Sequence, residues 1–465
     1  MKKLFFPLFL LLFLARLLPA QQVVPAQQVP AQEDYQIEHA LVGAYAVNMR
    51  TGKVLIDQNS EMSLMPGSCL KLVTTAAALE LLGPKMRFET KLEYDGKVSG
   101  GVLEGNLYVR GGGDPCLGSD RFTPWQKQLE LWVEALGALG IQTIRGKVLA
   151  DASHWEKVLA VPSWLWEDLG NYYGAGASAL SFHENFYSLV FKPGAKIGER
   201  ASILRLDPAI SDFTLHSEVT TGPEGSGDRA CIYGSEYSPL GFVYGTIPAG
   251  VESFAIKGAI LDPPAFCAAA FTKALRAKGM VVEEKNLPLS KSRTSFHTTS
   301  SPSVAEIVYW TNQKSLNLYA EHLLKKMGET LYGEGSTEYG LRAVSSFLRA
   351  QKIDLAGWQI ADGSGLSRKN LVTAKQLVSL LIKLQSSSHF SLLLQSLPKQ
   401  GKHLKAKSGS FSSMKVSYAG YAGDIAFAIV VNHCTDKQKV AEKTALFLSN
   451  LDHLVEKSHD AIVNP

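Results

Sequence analysis

Residues 66–83 read Pro-Gly-Ser-Cys-Leu-Lys-Leu-Val-Thr-Thr-Ala-Ala-Ala-Leu-Glu-Leu-Leu-Gly. The break at Pro66-Gly67 and the apolar run after it predict a buried helix that ends at the second of the glycines shown. Ser68 opens this helix and Lys71 follows three positions later, so the two side chains share one helix face. The stretch can therefore hold a lysine amine against a serine hydroxyl at the start of a core helix.

This pairing has a chemical use. Serine is a weak nucleophile until a base removes its proton, and a lysine can be that base only if burial or a second cation lowers its pKa. We interpret Ser68 as a candidate nucleophile and Lys71 as its candidate base. Two further S-x-x-K patterns open no long apolar helix and are interpreted as accidental: Ser396 to Lys399 and Ser412 to Lys415.

A second pattern is Ser315-Leu316-Asn317. Its hydroxyl can relay a proton, and its amide can orient a lysine or a substrate carbonyl. Taken alone, the pattern suits a solvated cap of the following helix equally well.

A third pattern, Lys407-Ser408-Gly409-Ser410, lies just ahead of a strand-like run. A cation and a hydroxyl at a strand edge can hold a carboxylate, and a glycine there lets a substrate backbone approach closely. The alternative is an edge-strand lysine that discourages aggregation.

The three patterns occur in the order S-x-x-K, S-x-N, K-[ST]-G, the set typical of penicillin-binding proteins and serine β-lactamases. The sequence resembles the D-alanyl-D-alanine carboxypeptidases of the penicillin-binding protein 4 (DacB-like) type, serine peptidase family S13. Further similar segments cover most of the chain: 66–83, 105–115, 144–151, 312–328, 362–368 and 407–421. The 247 positions between Ser68 and Ser315 fit an insert that this family has and compact β-lactamases lack.

Three positions depart from the family pattern. Leu316 stands where Asp is frequent, Ser408 replaces the usual Thr but keeps the hydroxyl, and Cys69 lies beside the nucleophile. Of these, the change at Leu316 is the one expected to alter hydrogen bonding to substrate.

The resemblance implies a mechanism at the matching positions. Ser68 would attack the penultimate D-Ala carbonyl with Lys71 as base, and Ser315 would relay the proton to the leaving amine. Asn317 would bind the substrate amide. A β-lactam would acylate Ser68 in the same way.

The resemblance also implies how the substrate is held. Lys407 would keep the lysine base neutral by like-charge repulsion. With Ser408 and Gly409 it would receive the terminal carboxylate. The backbone N–H groups of Ser68 and Ser410 would form the oxyanion hole. The partners implied are peptidoglycan stem peptides and β-lactam antibiotics, with no cofactor.

The predicted fold class is α/β (α+β), with a penicillin-recognising, β-lactamase/transpeptidase-like catalytic domain over 33–87 and 257–465. Many short alternating runs predict a mostly β inserted region over 88–256, in two small subdomains. Predicted strands cover 41–48, 53–57, 418–421 and 425–431. Helical periodicity covers 69–82, 264–278, 304–326, 339–350, 374–385 and 437–454.

The amino-terminal segment predicts export. Residues 1–20 combine Lys2-Lys3 with a short apolar stretch and small residues, typical of a signal peptide and too short for a stable membrane span. Residues 21–32 follow as a flexible leader. The 47 basic and 43 acidic residues give a formal charge of +4, but removal of the signal lowers the basic count to 44 and the charge to about +1. Nucleic-acid binding is therefore not predicted, and the expected location is periplasmic.

Cysteines and histidines point to no further site. The five cysteines are widely spaced and odd in number, so the chain is no disulfide scaffold, and Cys69 is expected to be a free, buried thiol. The eleven histidines form no H-x-x-x-H pair, and no metal site is predicted. Residues 362–365 (Asp-Gly-Ser-Gly) are interpreted as a structural loop near the site.

Two alternatives remain open from the sequence. One is a β-lactamase or esterase that uses the same site, against which the long insert argues. The other is a non-catalytic envelope binding protein, which would have no need to retain all three patterns.

Overall fold

The computed structural model describes residues 35–463, with the exception of residues 36, 291, 412 and 413. The predicted signal peptide (1–20), the leader (21–32) and Ser412 of the last S-x-x-K pattern lie outside the described residues.

The first elements are strands β1 (Leu41–Asn48) and β2 (Val54–Gln58), a 3₁₀ turn (Gly67–Cys69) and helix α1 (Leu70–Leu81). The next are β3 (Glu89–Tyr94), β4 (Lys97–Ser99), β5 (Val102–Glu104), β6 (Leu107–Arg110), α2 (Trp125–Gly137), β7 (Thr143–Ile144), β8 (Val148–Asp151), α3 (Trp166–Leu169), β9 (Phe186–Lys192), β10 (Ser202–Asp207), β11 (Thr214–Gly222), β12 (Arg229–Tyr233), β13 (Leu240–Pro248), β14 (Phe254–Ala259), α4 (Pro263–Ala277), β15 (Val281–Val282) and β16 (Thr294–Ser300). The last are α5 (Val304–Lys314), α6 (Asn317–Tyr332), α7 (Thr337–Ala350), α8 (Ala374–Leu384), α9 (Phe390–Ser396), β17 (Leu404–Phe411), β18 (Met414–Ala422), β19 (Ile425–Asn432) and α10 (Lys437–Val463).

An antiparallel five-stranded sheet, in the order β17-β18-β19-β1-β2, is the centre of the catalytic part. Helices lie on both of its faces, so all eight residues of β19 are buried. Alternate β19 residues enter two different apolar clusters: Ala428 and Val430 pack with α1 and α8, whereas Phe427 and Ile429 pack with α10. Strand β17 is at the edge and contains Lys407, which the sequence analysis had placed ahead of the first strand of this region.

The continuous helix predicted over 304–326 is wrong, because the structure has two helices, α5 and α6. Ser315 ends α5 in the left-handed conformation, with φ 56° and ψ 40°, and Leu316 is extended. The apolar periodicity passes through this break without a change that the sequence would reveal. The break places the Ser315-Leu316-Asn317 pattern at a corner between two helices.

Between β3 and β16 the chain forms four small sheets around a second apolar cluster. Helix α2, which the sequence analysis missed, contributes Trp132, whose ring stands edge-on to Phe271 of α4 at 5.3 Å. Strand β16 pairs with β3 from Thr294 to Ser300. We therefore propose that the inserted region runs from about residue 88 to about residue 301, beyond the boundary at 256 suggested by the sequence.

Candidate active site

A cleft of about 940 Å³ lies between the catalytic part and the inserted region. Of the residues predicted from the sequence, it is lined by Ser68, Ser315, Asn317, Ser408 and Ser410. The inserted region contributes much of the opposite wall: Asp120, Arg121, Glu167, Asp168, Tyr172, Tyr173, His183, Glu184, Phe186, Cys231 and Lys257.

Lys71 lies fully buried beneath the floor of this cleft. Its Nζ is hydrogen-bonded to Ser68 Oγ at 2.9 Å and donates to Asn317 Oδ1 at 2.6 Å. A third bond goes to the backbone carbonyl of Ser364 at 2.6 Å. Ser315 is not one of its partners in the described part of the chain, although it lines the same cleft. The structure thus brings the first pattern into direct contact with the asparagine of the second.

The surroundings of Lys71 favour its neutral form. Burial, followed by the charge of Lys407, holds the pKa of Lys71 well below its ordinary value of 10.5. The carboxylates of Asp362 and Glu321 oppose this shift, because they stabilise the ammonium. Burial is the largest of these effects, so the amine can accept a proton from Ser68.

The Asp-Gly-Ser-Gly loop holds the Ser364 carbonyl in place. Glu321 of α6 is buried below the loop and accepts hydrogen bonds from the backbone N–H groups of Gly363 at 3.1 Å and Ser364 at 2.8 Å. Burial, and then the nearby Asp362, raise the pKa of Glu321 to about 7. Asp362 accepts from the indole N–H of Trp164, in the inserted region, at 2.8 Å. The loop therefore lies next to the site, in a structural role, as its sequence suggested.

Glu321 was missed as a site residue. It follows Asn317 by four positions on one helix, so the two side chains lie on the same helix face, and this spacing could have indicated it. Asn317 itself uses both ends of its amide, because its Nδ2 donates to the Tyr173 carbonyl at 2.7 Å.

Side chains of the same helix also form hydrogen bonds with the inserted region. His322 Nδ1 donates to the Gly113 carbonyl at 2.7 Å. Burial lowers the pKa of this histidine to about 3, so its ring is neutral and Nε2 accepts from Ser181 Oγ at 3.0 Å. Lys325 Nζ, also buried, donates to the carbonyls of Val158 at 2.8 Å and Ala177 at 3.0 Å. Helix α6 is therefore hydrogen-bonded both to the Asp-Gly-Ser-Gly loop and to the inserted region.

Strand β17 brings the third pattern against the turn that carries Ser68. Lys407 is almost fully buried, and its Nζ donates to the Ser408 carbonyl at 2.7 Å. A Cβ atom on Gly409 would lie 2.4 Å from the Pro66 carbonyl oxygen and 3.0 Å from the Ser68 nitrogen. The register shifts between Gly409 and Ser410, which redirects the strand at this point. Only glycine allows this approach.

Cys69 is a buried free thiol, as predicted, and all five cysteines are unpaired with one another. Its Sγ donates to the Lys407 carbonyl at 3.0 Å, and burial raises its pKa to about 11. The thiol therefore stays protonated and does not compete with Ser68 as a nucleophile.

The described residues contain no group of three or more His, Cys, Asp or Glu side chains that could hold a metal ion. In the same part of the chain, no helix combines the length and the apolar character that a membrane crossing requires.

Substitution of Gly365 by alanine is expected to lower acylation about 100-fold, because a misplaced nucleophile loses its attack geometry. Gly365 has φ +83°, and a Cβ there would lie 2.0 Å from the carbonyl oxygen of Gly67, next to Ser68. The rate constant of penicillin acylation is the measurement. Gly333→Ala is the matched control, since Gly333 also has positive φ (+78°) but open space around it. Equal rates in Gly365→Ala and wild type would contradict the prediction.

A serine hydroxyl in contact with a buried lysine whose pKa is lowered can perform acyl transfer. Together with a helix-flanked antiparallel sheet, it defines a serine hydrolase of the penicillin-recognising class. The chain matches the sequence profile of the D-Ala-D-Ala carboxypeptidase 3 (S13) family over residues 27–450, and it belongs to that family.

Individual proteins that the chain resembles are consistent with this family assignment. A D-alanyl-D-alanine carboxypeptidase of Actinomadura sp. (strain R39) is 28% identical, over 89% of this chain and 82% of the relative. DacB of Haemophilus influenzae is 26% identical, over 78% of this chain and 75% of the relative. The crystal structure of penicillin binding protein 4 from H. influenzae covers 92% of this chain and 99% of its own, with a TM-score of 0.77 at 23% identity. The predicted family, fold class and serine carboxypeptidase activity are confirmed.

Proposed function

We propose that this protein releases the terminal D-Ala from peptidoglycan stem peptides through an acyl-enzyme on Ser68. The observation that carries the proposal is the 2.9 Å contact between Lys71 Nζ and Ser68 Oγ, in surroundings that lower the pKa of the lysine. Family membership supports the same reaction.

The reaction begins when neutral Lys71 takes the proton of Ser68 and the oxygen attacks the carbonyl of the penultimate D-Ala. The backbone N–H groups of Ser68 and Ser410 bind the oxyanion. Ser315 passes the proton to the departing D-Ala amine, and the C–N bond breaks to leave an ester on Ser68. Water then hydrolyses the ester and restores the enzyme.

Substrate is held along β17. Lys407 and Ser408 bind the terminal carboxylate, and the absence of a side chain at Gly409 lets the peptide approach the turn. We assign Asn317 chiefly to holding Lys71, since both ends of its amide are occupied. Its contact with the substrate amide remains a prediction.

We further propose that the protein is exported, because peptidoglycan lies outside the cytoplasm and residues 1–20 have the pattern of a signal peptide. A periplasmic location and covalent binding of β-lactams at Ser68 belong to the same proposal. The volume of the cleft also favours a second substrate, a cross-linked pair of stem peptides, which would make the enzyme a D,D-endopeptidase as well.

The test is to incubate the purified wild-type protein with a pentapeptide muropeptide and a cross-linked dimer, and to weigh the products. Release of D-Ala is expected from the first, and cleavage to monomers from the second if endopeptidase activity is present. Rapid β-lactam turnover without D-Ala release would favour the β-lactamase alternative. Binding of muropeptide without any product would favour the non-catalytic one.

A further inference from the structure

The small sheet β11-β13-β12 of the inserted region has two unlike faces. One face is buried in the second apolar cluster through Val219, Ile232, Val243 and Ile247. The register places the other residues together on the open face, where His216 neighbours Phe242, Phe242 is opposite Tyr233, and Tyr244 is opposite Cys231. Open faces of such sheets normally carry polar residues, so this concentration of rings needs an explanation.

The rings on this face form two groups of contacting side chains. Trp166 of α3 packs on Tyr233 with 4.7 Å between ring centroids, and Tyr233 packs on Tyr244 at 5.9 Å. His216 stacks on Phe242 at 5.4 Å. Trp166 is 62% exposed and Tyr244 46%. We call these five rings the aromatic face. Contiguous exposed apolar surface of this kind marks an interaction site.

The aromatic face is continuous with the catalytic cleft. Cys231, opposite Tyr244 on the same face, lines the cleft, and so does Glu167, the residue after Trp166. Polar groups are interspersed, since Glu218 lies beside Tyr244 and forms an ion pair with Arg200. A ligand that extends out of the cleft at this rim therefore meets aromatic rings that are flanked by charged side chains.

We propose that the aromatic face binds the glycan strand of peptidoglycan, an inference that rests on the proposed function. A stem peptide is joined covalently to a sugar, and five extended residues span at most about 18 Å, so the sugar must lie close to the rim of the cleft. Sugar rings present C–H groups to aromatic faces and hydroxyls to polar side chains, and Trp and Tyr provide both kinds of surface. The aromatic face would thus hold the glycan strand while the stem peptide enters the cleft.

The test measures binding to immobilised glycan strands from which an amidase has removed the stem peptides. All proteins carry Ser68→Ala, so that no reaction occurs. The double variant Trp166→Ala, Tyr244→Ala is expected to raise the apparent Kd about tenfold or more. Tyr309→Ala is the matched control, because Tyr309 on α5 is similarly exposed (42%) and does not line the cleft. Its Kd is expected to equal that of the parent.

Measurements of D-Ala release distinguish a failure of this proposal from a failure of the proposed function on which it rests. With Ser68 intact, the double variant is expected to release D-Ala from a sugar-free pentapeptide at the wild-type rate, and more slowly from a glycan-linked one. Equal glycan affinity in the double variant and its parent would overturn the proposed role of the aromatic face and leave the proposed function unaffected. Binding that requires stem peptides would overturn that role as well, in favour of peptide recognition. Failure of the wild type to release D-Ala from the sugar-free peptide would instead overturn the proposed function.

Discussion

Replacement of Ser68 by alanine is expected to abolish covalent labelling by penicillin and to lower D-Ala release at least about 10⁴-fold. The hydroxyl is the atom that forms the ester, and the thiol of neighbouring Cys69 has a pKa raised to about 11, so it cannot substitute. Labelled penicillin followed by denaturing electrophoresis measures the adduct, and mass analysis of a pentapeptide digest measures the D-Ala.

Ser396→Ala is the matched control for this experiment. Ser396 also begins an S-x-x-K pattern, but it is buried in α9 and bonded to the Leu393 carbonyl and to Asn312. Labelling should persist in this variant even where its stability falls. Equal labelling of Ser68→Ala and wild type would exclude Ser68 as the nucleophile.

Replacement of Lys71 by methionine is expected to lower the rate constant of penicillin acylation about 10³- to 10⁴-fold near neutral pH, the range that a general base contributes with its positioning. Methionine fills a similar volume but cannot accept the serine proton. It also leaves the Ser364 carbonyl without the Lys71 amine that donates to it. Stopped-flow acylation at several pH values is the measurement.

The same variant tests the protonation state of Lys71. In the folded wild-type protein the pKa of Lys71 is lowered, whereas in the unfolded chain it keeps the ordinary value of 10.5. Between these two pKa values the unfolded state binds more protons, so the contribution of Lys71 to wild-type stability rises with pH. The melting temperature of Lys71→Met relative to wild type should therefore fall as pH increases above neutrality. A difference that does not vary with pH would contradict a lowered pKa.

Lys325→Met provides the control for the loss of a buried lysine. Lys325 lies on α6, is buried to nearly the same extent, and also has a pKa lowered by burial. Because it contacts neither Ser68 nor the Asp-Gly-Ser-Gly loop, its replacement should lower stability and leave acylation within about tenfold of wild type. An equal loss of acylation in both variants would indicate general damage.

The contact between Ser68 and Lys71 could be predicted from the sequence because the two residues are close along the chain. A serine and a lysine three positions apart must share a helix face, and the helix start after Pro66-Gly67 is a short-range signal. The main sheet could be predicted in part, since the apolar, β-prone run from Leu41 to Asn48 matches β1 in full.

What the sequence did not reveal depends on contacts between distant segments. The left-handed Ser315 interrupts a helix whose apolar pattern continues, so periodicity alone cannot find it. The partners of Lys71 and Asn317 include the backbone carbonyls of Ser364 and Tyr173, and a carbonyl has no residue type to recognise. Helix α4 lies near the catalytic segments in sequence but packs in the second cluster. These features are set by tertiary packing.

Helix α6 decides whether the catalytic part could stand without the inserted region. One of its faces braces the loop that positions Lys71, and the other buries His322 and Lys325 against carbonyls of the inserted region. Excision of that region would remove these acceptors and, with Trp155 and Ala177, part of the apolar cluster that packs against α6. The insert is thus no detachable module, because its loss would open the core of the catalytic part to water.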